Sequence, residues 1–269
     1  MLSRTAWSRA RRKRRPLPPA WREILEGQVA YYRCLPEAEQ AELRGLLQVL
    51  LGEVPFEAGA GLESVDETMR VLIAAQACVL LLHRPLAELP RLRSVIVYPG
   101  AYRARERLNT PEGTVVEASE VRRGESWSHG VLLFSWDDVV YDAAHVDDGE
   151  NIVFHELVHA LDEQTGEADG VPLLPNADTA REWVEAFGGA YKELVRDTRL
   201  RRETLLDPYA AEDPAEFFAV ATEAFLEMPL EFRAAYPALY RLLGDHFHLD
   251  PVRWAPALTA ARRAVRAGA

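Results

Sequence analysis

His155, Glu156 and His159 stand in the order His-Glu-x-x-His inside the stretch N-I-V-F-H-E-L-V-H-A-L-D, residues 151–162. On an α-helix, side chains at i and i+4 lie one above the other on the same face. Two imidazoles so placed can close on one Zn²⁺ at about 2.0–2.1 Å from each nitrogen. Glu156, beside that face, is positioned to take a proton from a metal-bound water. Asp162 continues the histidine stripe at i+7 and is a candidate carboxylate for orienting an imidazole from behind. The pattern alone is not decisive. It arises by chance in roughly one chain in a hundred of this length and histidine content, and buried histidine pairs also occur as hydrogen-bonded core residues.

A hydrolytic zinc site needs a third protein ligand. Residues 208–228 read P-Y-A-A-E-D-P-A-E-F-F-A-V-A-T-E-A-F-L-E-M. Asp213-Pro214 is a helix start, with aspartate at the N-cap and proline in the first turn. Glu216 and Glu223 share one face of the helix that follows, while Phe217, Val220, Ala221, Ala224 and Phe225 point to a core. A carboxylate at the start of a buried helix needs a partner, because burying it unpaired is costly. Glu216 is therefore the expected third ligand. Glu223 is the expected acceptor for a ligating imidazole. Tyr209, just ahead of the helix, can donate its phenolic proton to an oxyanion formed when water attacks a carbonyl. Read without the first helix, the two glutamates would be surface carboxylates.

The elements that must position these groups follow from patterning. Val153, Leu157, Ala160 and Leu161 form an apolar stripe that buries the His-Glu-x-x-His helix, with Asn151 or Asp148 as its cap. Ahead of it, residues 20–34 and 36–51 read as helices, 52–61 as a loop, and Ser64-x-x-Glu67 as a capping box opening a helix over 65–83. Residues 93–98, 114–118 and 130–134 are short β-rich runs separated by turn residues. The expectation is a small sheet whose last strand precedes the metal helix and either offers an edge to an extended peptide or is an ordinary core strand. Residues 137–150 read as an acidic loop without EF-hand spacing. Trp183, Phe187, Tyr191 and Leu194 mark the apolar face of a helix capped by Asp178. The expected architecture is α+β: a mostly helical, zincin-like domain over 20–256, with 257–269 a C-terminal helix or tail.

Composition bounds the function classes. The chain has 269 residues, 48% hydrophobic, with a net charge of −11. Seven basic residues and no acid fall within 1–15, so the remainder is more acidic than the whole. An acidic body argues against a broad nucleic-acid surface. Residues 1–19 read as a disordered basic tail, solvated or acting as an electrostatic arm for nucleic acid or anionic lipid. No apolar core of a signal peptide follows it. The most apolar run, 71–82, is interrupted by Gln76 and is too short to span a membrane. Cys34 and Cys78 lie in apolar, helix-like stretches and read as buried free thiols of a reducing compartment. A cytoplasmic location is expected.

With Tyr209 seven residues before Glu216 and Glu216-Phe-Phe-Ala at the ligand, the pattern resembles the gluzincin arrangement of the Mlc titration factor A family. That family is also similar in its active-site region to anthrax lethal factor. The likeness includes Trp21, Ile73-Ala-Ala-Gln-Ala-Cys78, Ser135-Trp136, residues 151–162, Gly170-Val-Pro172 and Pro214-Ala-Glu-Phe-Phe-Ala-Val220. It covers roughly residues 17–255. The Arg-rich segment before Pro16 departs from it, as does Leu157-Val158, where a bulkier aromatic followed by a small residue is expected. The resemblance implies a cytoplasmic bacterial zinc peptidase with aminopeptidase-like activity. In some members it implies binding of the repressor Mlc. It also implies His155, His159 and Glu216 as Zn²⁺ ligands, Glu156 as base and Tyr209 as oxyanion donor. The expected partners are a peptide substrate and an Mlc-like transcriptional repressor. No membrane is expected, and nucleic acid only through the basic tail. Two rivals remain. One is a protein that sequesters a regulator, with zinc mainly structural. The other is a di-iron carboxylate protein, which needs a second Glu-x-x-His that the chain lacks.

Overall fold

A computed structural model describes residues 4–268 except 87, 88, 91, 110–114, 123, 128, 129 and 147; for 4–6, 102–109, 115–122, 124–127, 262 and 264–268 it describes the backbone alone. The chain begins with α1 (Arg4–Lys13), α2 (Pro19–Gln28), α3 (Ala30–Cys34), α4 (Glu37–Glu53), β1 (Phe56–Ala58) and α5 (Glu67–Leu80). Strands β2 (Ser94–Tyr98), β3 (Tyr102–Asn109), β4 (Val115–Arg122), β5 (Gly124–Trp127) and β6 (Val131–Ser135) follow. The remainder is helical: α6 (Trp136–Ala144), α7 (Ile152–Asp162), α8 (Ala177–Arg199), α9 (Pro214–Glu227), α10 (Pro229–Ala235), α11 (Pro237–Phe247) and α12 (Ala255–Gly268). This is the mostly helical α+β architecture expected from patterning.

The Ala/Leu/Val-rich run of α5 is buried at every position from Val71 to Leu80. A helix apolar on all sides belongs in the middle of a domain. Accordingly, α2, α3, α4, α6 and α7 all pack on α5. Its N-cap is Asp66, which accepts from the Met69 amide at 2.8 Å, rather than the expected Ser64 box. The expected helix over 20–34 breaks at Val29, whose backbone is extended. Val29 is fully buried there.

The main sheet runs β1-β2-β6-β5. β1, β2 and β6 are parallel, and β5 is antiparallel to β6. Val95, Val97, Leu132, Leu133 and Phe134 are buried, so both faces of the central strands are covered. Of the two readings of β6, the structure supports the interior core strand and not the edge. The outer strand beside α7 is β5, which pairs with β6 and packs against α7. β1 and β5 are too short to show apolar alternation, and backbone pairing with stronger partners makes them strands. β3 and β4 form a separate antiparallel hairpin. The acidic segment 137–150 is mostly helix. Asp137 and Asp138 lie in the first turn of α6, where the helix dipole favours negative charge.

The expected disordered tail is also corrected. α1 packs on α4 and is held by three polar anchors, two of them on α4. Arg9 Nε meets Glu53 Oε2 at 2.9 Å, Arg9 Nη1 donates to the Leu86 carbonyl at 2.7 Å, and Lys13 Nζ meets Glu42 Oε1 at 2.9 Å. Gly45 and Gly52 leave room on α4 for the Lys13 and Arg12 side chains. Charge spacing alone does not reveal this docking, because the acids that pair with α1 lie some thirty to forty residues away. At the other end, 255–268 is helical, and Leu258 is buried.

Arg9 is 7% exposed. Arg9→Ala should lower the unfolding free energy by about 1–3 kcal/mol, because it leaves a carboxylate and a carbonyl without their charged donor. Urea denaturation reads this as a lower midpoint at unchanged slope. A midpoint equal to wild type would mean that α1 adds nothing to the fold.

Candidate metal centre and active site

Helix α7 starts at Asn151, whose side chain accepts from the Phe154 amide at 3.1 Å, and is buried along most of its length. Its exposed flank is narrow. His155 is 9% and Glu156 4% exposed, and His159 is partly buried. Helix α9 starts at Asp213, which caps the Ala215 and Glu216 amides at 2.8 and 3.0 Å. The two helices pack side by side.

Three donor atoms converge there. His155 Nε2 lies 3.0 Å from Glu216 Oε2 and 3.1 Å from His159 Nε2, and His159 Nε2 lies 3.5 Å from Glu216 Oε2. A tetrahedral ion with bonds of about 2.0–2.1 Å holds its ligands about 3.3–3.4 Å apart. The observed spacings bracket that value. Among the described residues, this is the group of His, Cys, Asp and Glu side chains whose ligand atoms all lie within 4.8 Å of one another. The residues present thus fit a metal ion.

Glu223 sets the geometry behind His155. Its Oε2 accepts from His155 Nδ1 at 3.1 Å, and its Oε1 accepts from the Asn151 amide at 2.7 Å. With Nδ1 donating, Nε2 is the nitrogen left with a free lone pair, and it faces Glu216 and His159. Asp162 behaves differently from expectation. Its Oδ2 accepts the Gly170 amide at 2.7 Å, so it holds a loop rather than an imidazole.

Electrostatics follow from these contacts. Burial works against the His155 imidazolium, but Glu223, Glu216 and Glu156 outweigh it and raise the pKa well above the ordinary value. Burial works against the Glu216 carboxylate, and contacts with His155 and His159 hold its pKa well below the usual range. Glu216 therefore stays ionised, as a ligand must. Burial lifts Glu156 to about 7; the two imidazoles pull it down and Glu216 and Glu223 push it up. A carboxyl near neutrality is suited to proton transfer. Tyr209 sits on a 3₁₀ turn, Pro208–Ala211, with its ring 6.2 Å from that of His155. Burial and the neighbouring Glu216 carboxylate raise its phenol, keeping it a proton donor.

Several residues that build the site were missed in the sequence. Gln76 of α5 accepts from Asn151 Nδ2 at 2.9 Å and donates to the Val139 carbonyl at 3.3 Å. A lone glutamine in an apolar helix is the signal that could have found it, because a buried amide needs partners. Glu227 Oε2 accepts the Gly149 amide at 3.1 Å and Asp142 Oδ2 the Ile152 amide at 2.7 Å, so carboxylates hold the start of α7. Gly170, with φ +77°, lies between the two helices. Trp183 Nε1 donates to its carbonyl at 2.8 Å, and a Cβ there would run into the Pro214 carbonyl, with the carbon at 2.9 Å. Three histidines outside the centre have other partners. His83 pairs with Glu39 and Glu42, His145 caps α6, and His246 lies against Arg84.

A mostly helical α+β domain with His-Glu-x-x-His on one helix and a converging glutamate on a second is the layout of a zincin-like metallopeptidase. Comparison agrees: the model of the glucose-regulated metallopeptidase M90 family matches residues 4–248, and the chain belongs to that family. It is 36% identical over 248 residues, 91% of this chain and 90% of the relative, to uncharacterized protein slr2042 of Synechocystis sp.. It is 30% identical over 238 residues, 87% of each chain, to Mlc titration factor A of Escherichia coli strain K12 and of Shigella boydii. The family description implies a bound metal. No helix among the described residues is long and apolar enough to cross a membrane.

Gly170→Ala should cost about 3 kcal/mol or more, from left-handed backbone strain plus the clash with Pro214. It should also weaken metal binding, because it moves the start of α9 and with it Glu216. Thermal unfolding and competition with a chromophoric chelator measure the two effects separately. Wild-type metal affinity would show that Gly170 does not set the Glu216 position. Glu223→Gln should reduce metal affinity about 10–100-fold, and a change below twofold in the same competition assay would argue against its orienting role.

Proposed function

We propose that this chain is a zinc-dependent peptidase of aminopeptidase-like specificity, with His155, His159 and Glu216 as Zn²⁺ ligands. The convergence of those three donor atoms, with Glu156 buried beside them, carries this reading. When bound, Zn²⁺ supplies Lewis-acid polarisation of the scissile carbonyl and lowers the pKa of its water. Glu156 acts as the base: it accepts a proton from the attacking water and passes it to the leaving amine. The Tyr209 phenol donates to the oxyanion that develops on the carbonyl. Glu223 holds the His155 ring so that Nε2 faces the site. The outer strand β5 lies beside α7, where it can pair with an extended peptide through backbone groups. A cytoplasmic setting is supported by two buried free cysteines.

A second reading is favoured by the name of the relatives, Mlc titration factor A. In it, this chain binds a sugar-responsive transcriptional repressor of the Mlc kind, with zinc mainly structural. The two readings differ at Glu156, because repressor affinity in the second reading does not need a general base.

Glu156→Gln should retain near-stoichiometric zinc and lose peptide hydrolysis by about 10²-fold or more. Metal content and turnover of aminoacyl and peptide reporters, measured beside wild type and Glu216→Ala, test this. Wild-type turnover in Glu156→Gln would remove Glu156 as the base. Zinc without hydrolysis in the wild type would favour the repressor-binding reading. Full zinc occupancy in Glu216→Ala would mean that another carboxylate is the third ligand.

A further inference from the structure

The turn that carries Tyr209 also carries an acid that the mechanism above does not use. Asp207 caps this turn by accepting the Tyr209 amide at 2.7 Å. The Glu212 amide donates to the Tyr209 carbonyl at 3.0 Å, so positions 209 and 212 are i and i+3 of a 3₁₀ turn. Side chains at that spacing eclipse one another. Tyr209 is directed at the metal-binding group, with its ring near His155 and the Glu216 carboxylate beside its phenol. Glu212 therefore lies on the side of the turn that looks towards that group. Its side chain is exposed, and it forms no ion pair or side-chain hydrogen bond with the described residues. The turn itself is held, since Tyr191 Oη donates to the Ala211 and Glu212 carbonyls at 3.4 Å and the turn packs on α8 and α9.

Among the described residues, the groups that bear most strongly on Glu156, Tyr209 and Glu216 are carboxylates and the two imidazoles, with no lysine or arginine among them. An unpaired carboxylate on this rim attracts an ammonium group. The α-amino group of a peptide, with a pKa of about 7.7–8.0, is mostly cationic at neutral pH. We propose that Glu212 anchors the α-ammonium group of a peptide whose first peptide bond lies at the His155–His159–Glu216 centre. Its unpaired carboxylate on the Tyr209 face of the turn makes it a specificity-determining residue, outside the metal set. This inference rests on the peptidase reading and narrows its substrates to chains with a free N-terminus.

The test uses the full-length, zinc-loaded protein and two metal-chelating probes, alanine hydroxamate and its N-acetyl derivative, with calorimetry as the readout. Wild type should bind the free-amine probe at least tenfold more tightly than the acetylated one. Glu212→Gln, at wild-type zinc content, should bind the two within about twofold of each other. In parallel, kcat/KM for aminoacyl reporters should fall at least tenfold in Glu212→Gln. Persistence of the free-amine preference in Glu212→Gln would overturn the proposal, as would equal binding of both probes by wild type. Loss in the variant of a preference for N-acetyl-lysine over N-acetyl-alanine hydroxamate, with the free-amine preference intact, would assign Glu212 to a basic side chain instead. Hydroxamate binding without hydrolysis would sink the peptidase reading but leave the ammonium result readable, so the two failures are distinguishable.

Discussion

The Glu223 carboxylate is the contact on which the site turns. One oxygen takes the Asn151 amide at the start of α7 and the other takes His155 Nδ1 one turn later. A single buried acid thus fixes both where the helix begins and which imidazole nitrogen faces the metal-binding group. It is almost fully buried, at 5% exposure. A charge in that position persists only with charge-assisted partners. The same electrostatic demand that makes Glu223 costly to bury therefore locks α7 and α9 together in one register.

The lock repeats along α9. Glu216 meets His155 and His159, Glu223 meets Asn151 and His155, and Glu227 meets the Gly149 amide. Moving forward along α9 moves backward along the segment that leads into α7, so the two run antiparallel. The three acids are spaced at seven and four residues, which keeps them on one face of the helix. Their helix-start partners are backbone amides left unpaired by the helix itself. Gly170 and Trp183 close the other end, where Asp162 ties the loop after α7 back to the end of that helix and Gly170 presses on Pro214 at the start of α9. Candidate ligands from two distant segments meet within 3.5 Å in a helix pair that is pinned at both ends.

Around that pair, the fold divides the work by polarity. Helix α5 supplies an apolar wall and one amide, Gln76, that reaches Asn151. The sheet supplies a flat support, with β6 buried in its interior and β5 on the side of α7. Glu216, Glu223 and Glu227 are answered by imidazoles and amides, while Glu212 on the rim faces solvent without an ionic partner among the described residues. Tight pairing below and free charge above is the arrangement of a surface that positions a ligand from outside.

Local pattern made much of this legible. The His-Glu-x-x-His spacing, the Asp213-Pro214 start and the period of Glu216 and Glu223 are properties of short segments, and short segments obey helix geometry wherever they are placed. The seven-residue offset from Tyr209 to Glu216 is of the same kind. What escaped were contacts between distant segments. Nothing near Arg9 announces Glu53 as its partner, so α1 read as a free tail. Nothing near Gly170 shows that Pro214 presses on it, and nothing in the β-rich runs reveals that the weak segment 124–127 would pair outside 131–135. Asp162 shares the histidine stripe by period, yet it turns to a backbone amide. By itself, the sequence determined the residue types, the helix faces and the caps, because those depend on neighbours within a few positions. Tertiary structure alone decided which carboxylate meets which imidazole, which strand lies beside the site and which glycine must stay a glycine. Those outcomes depend on desolvation and steric fit between segments that touch only once the chain has folded.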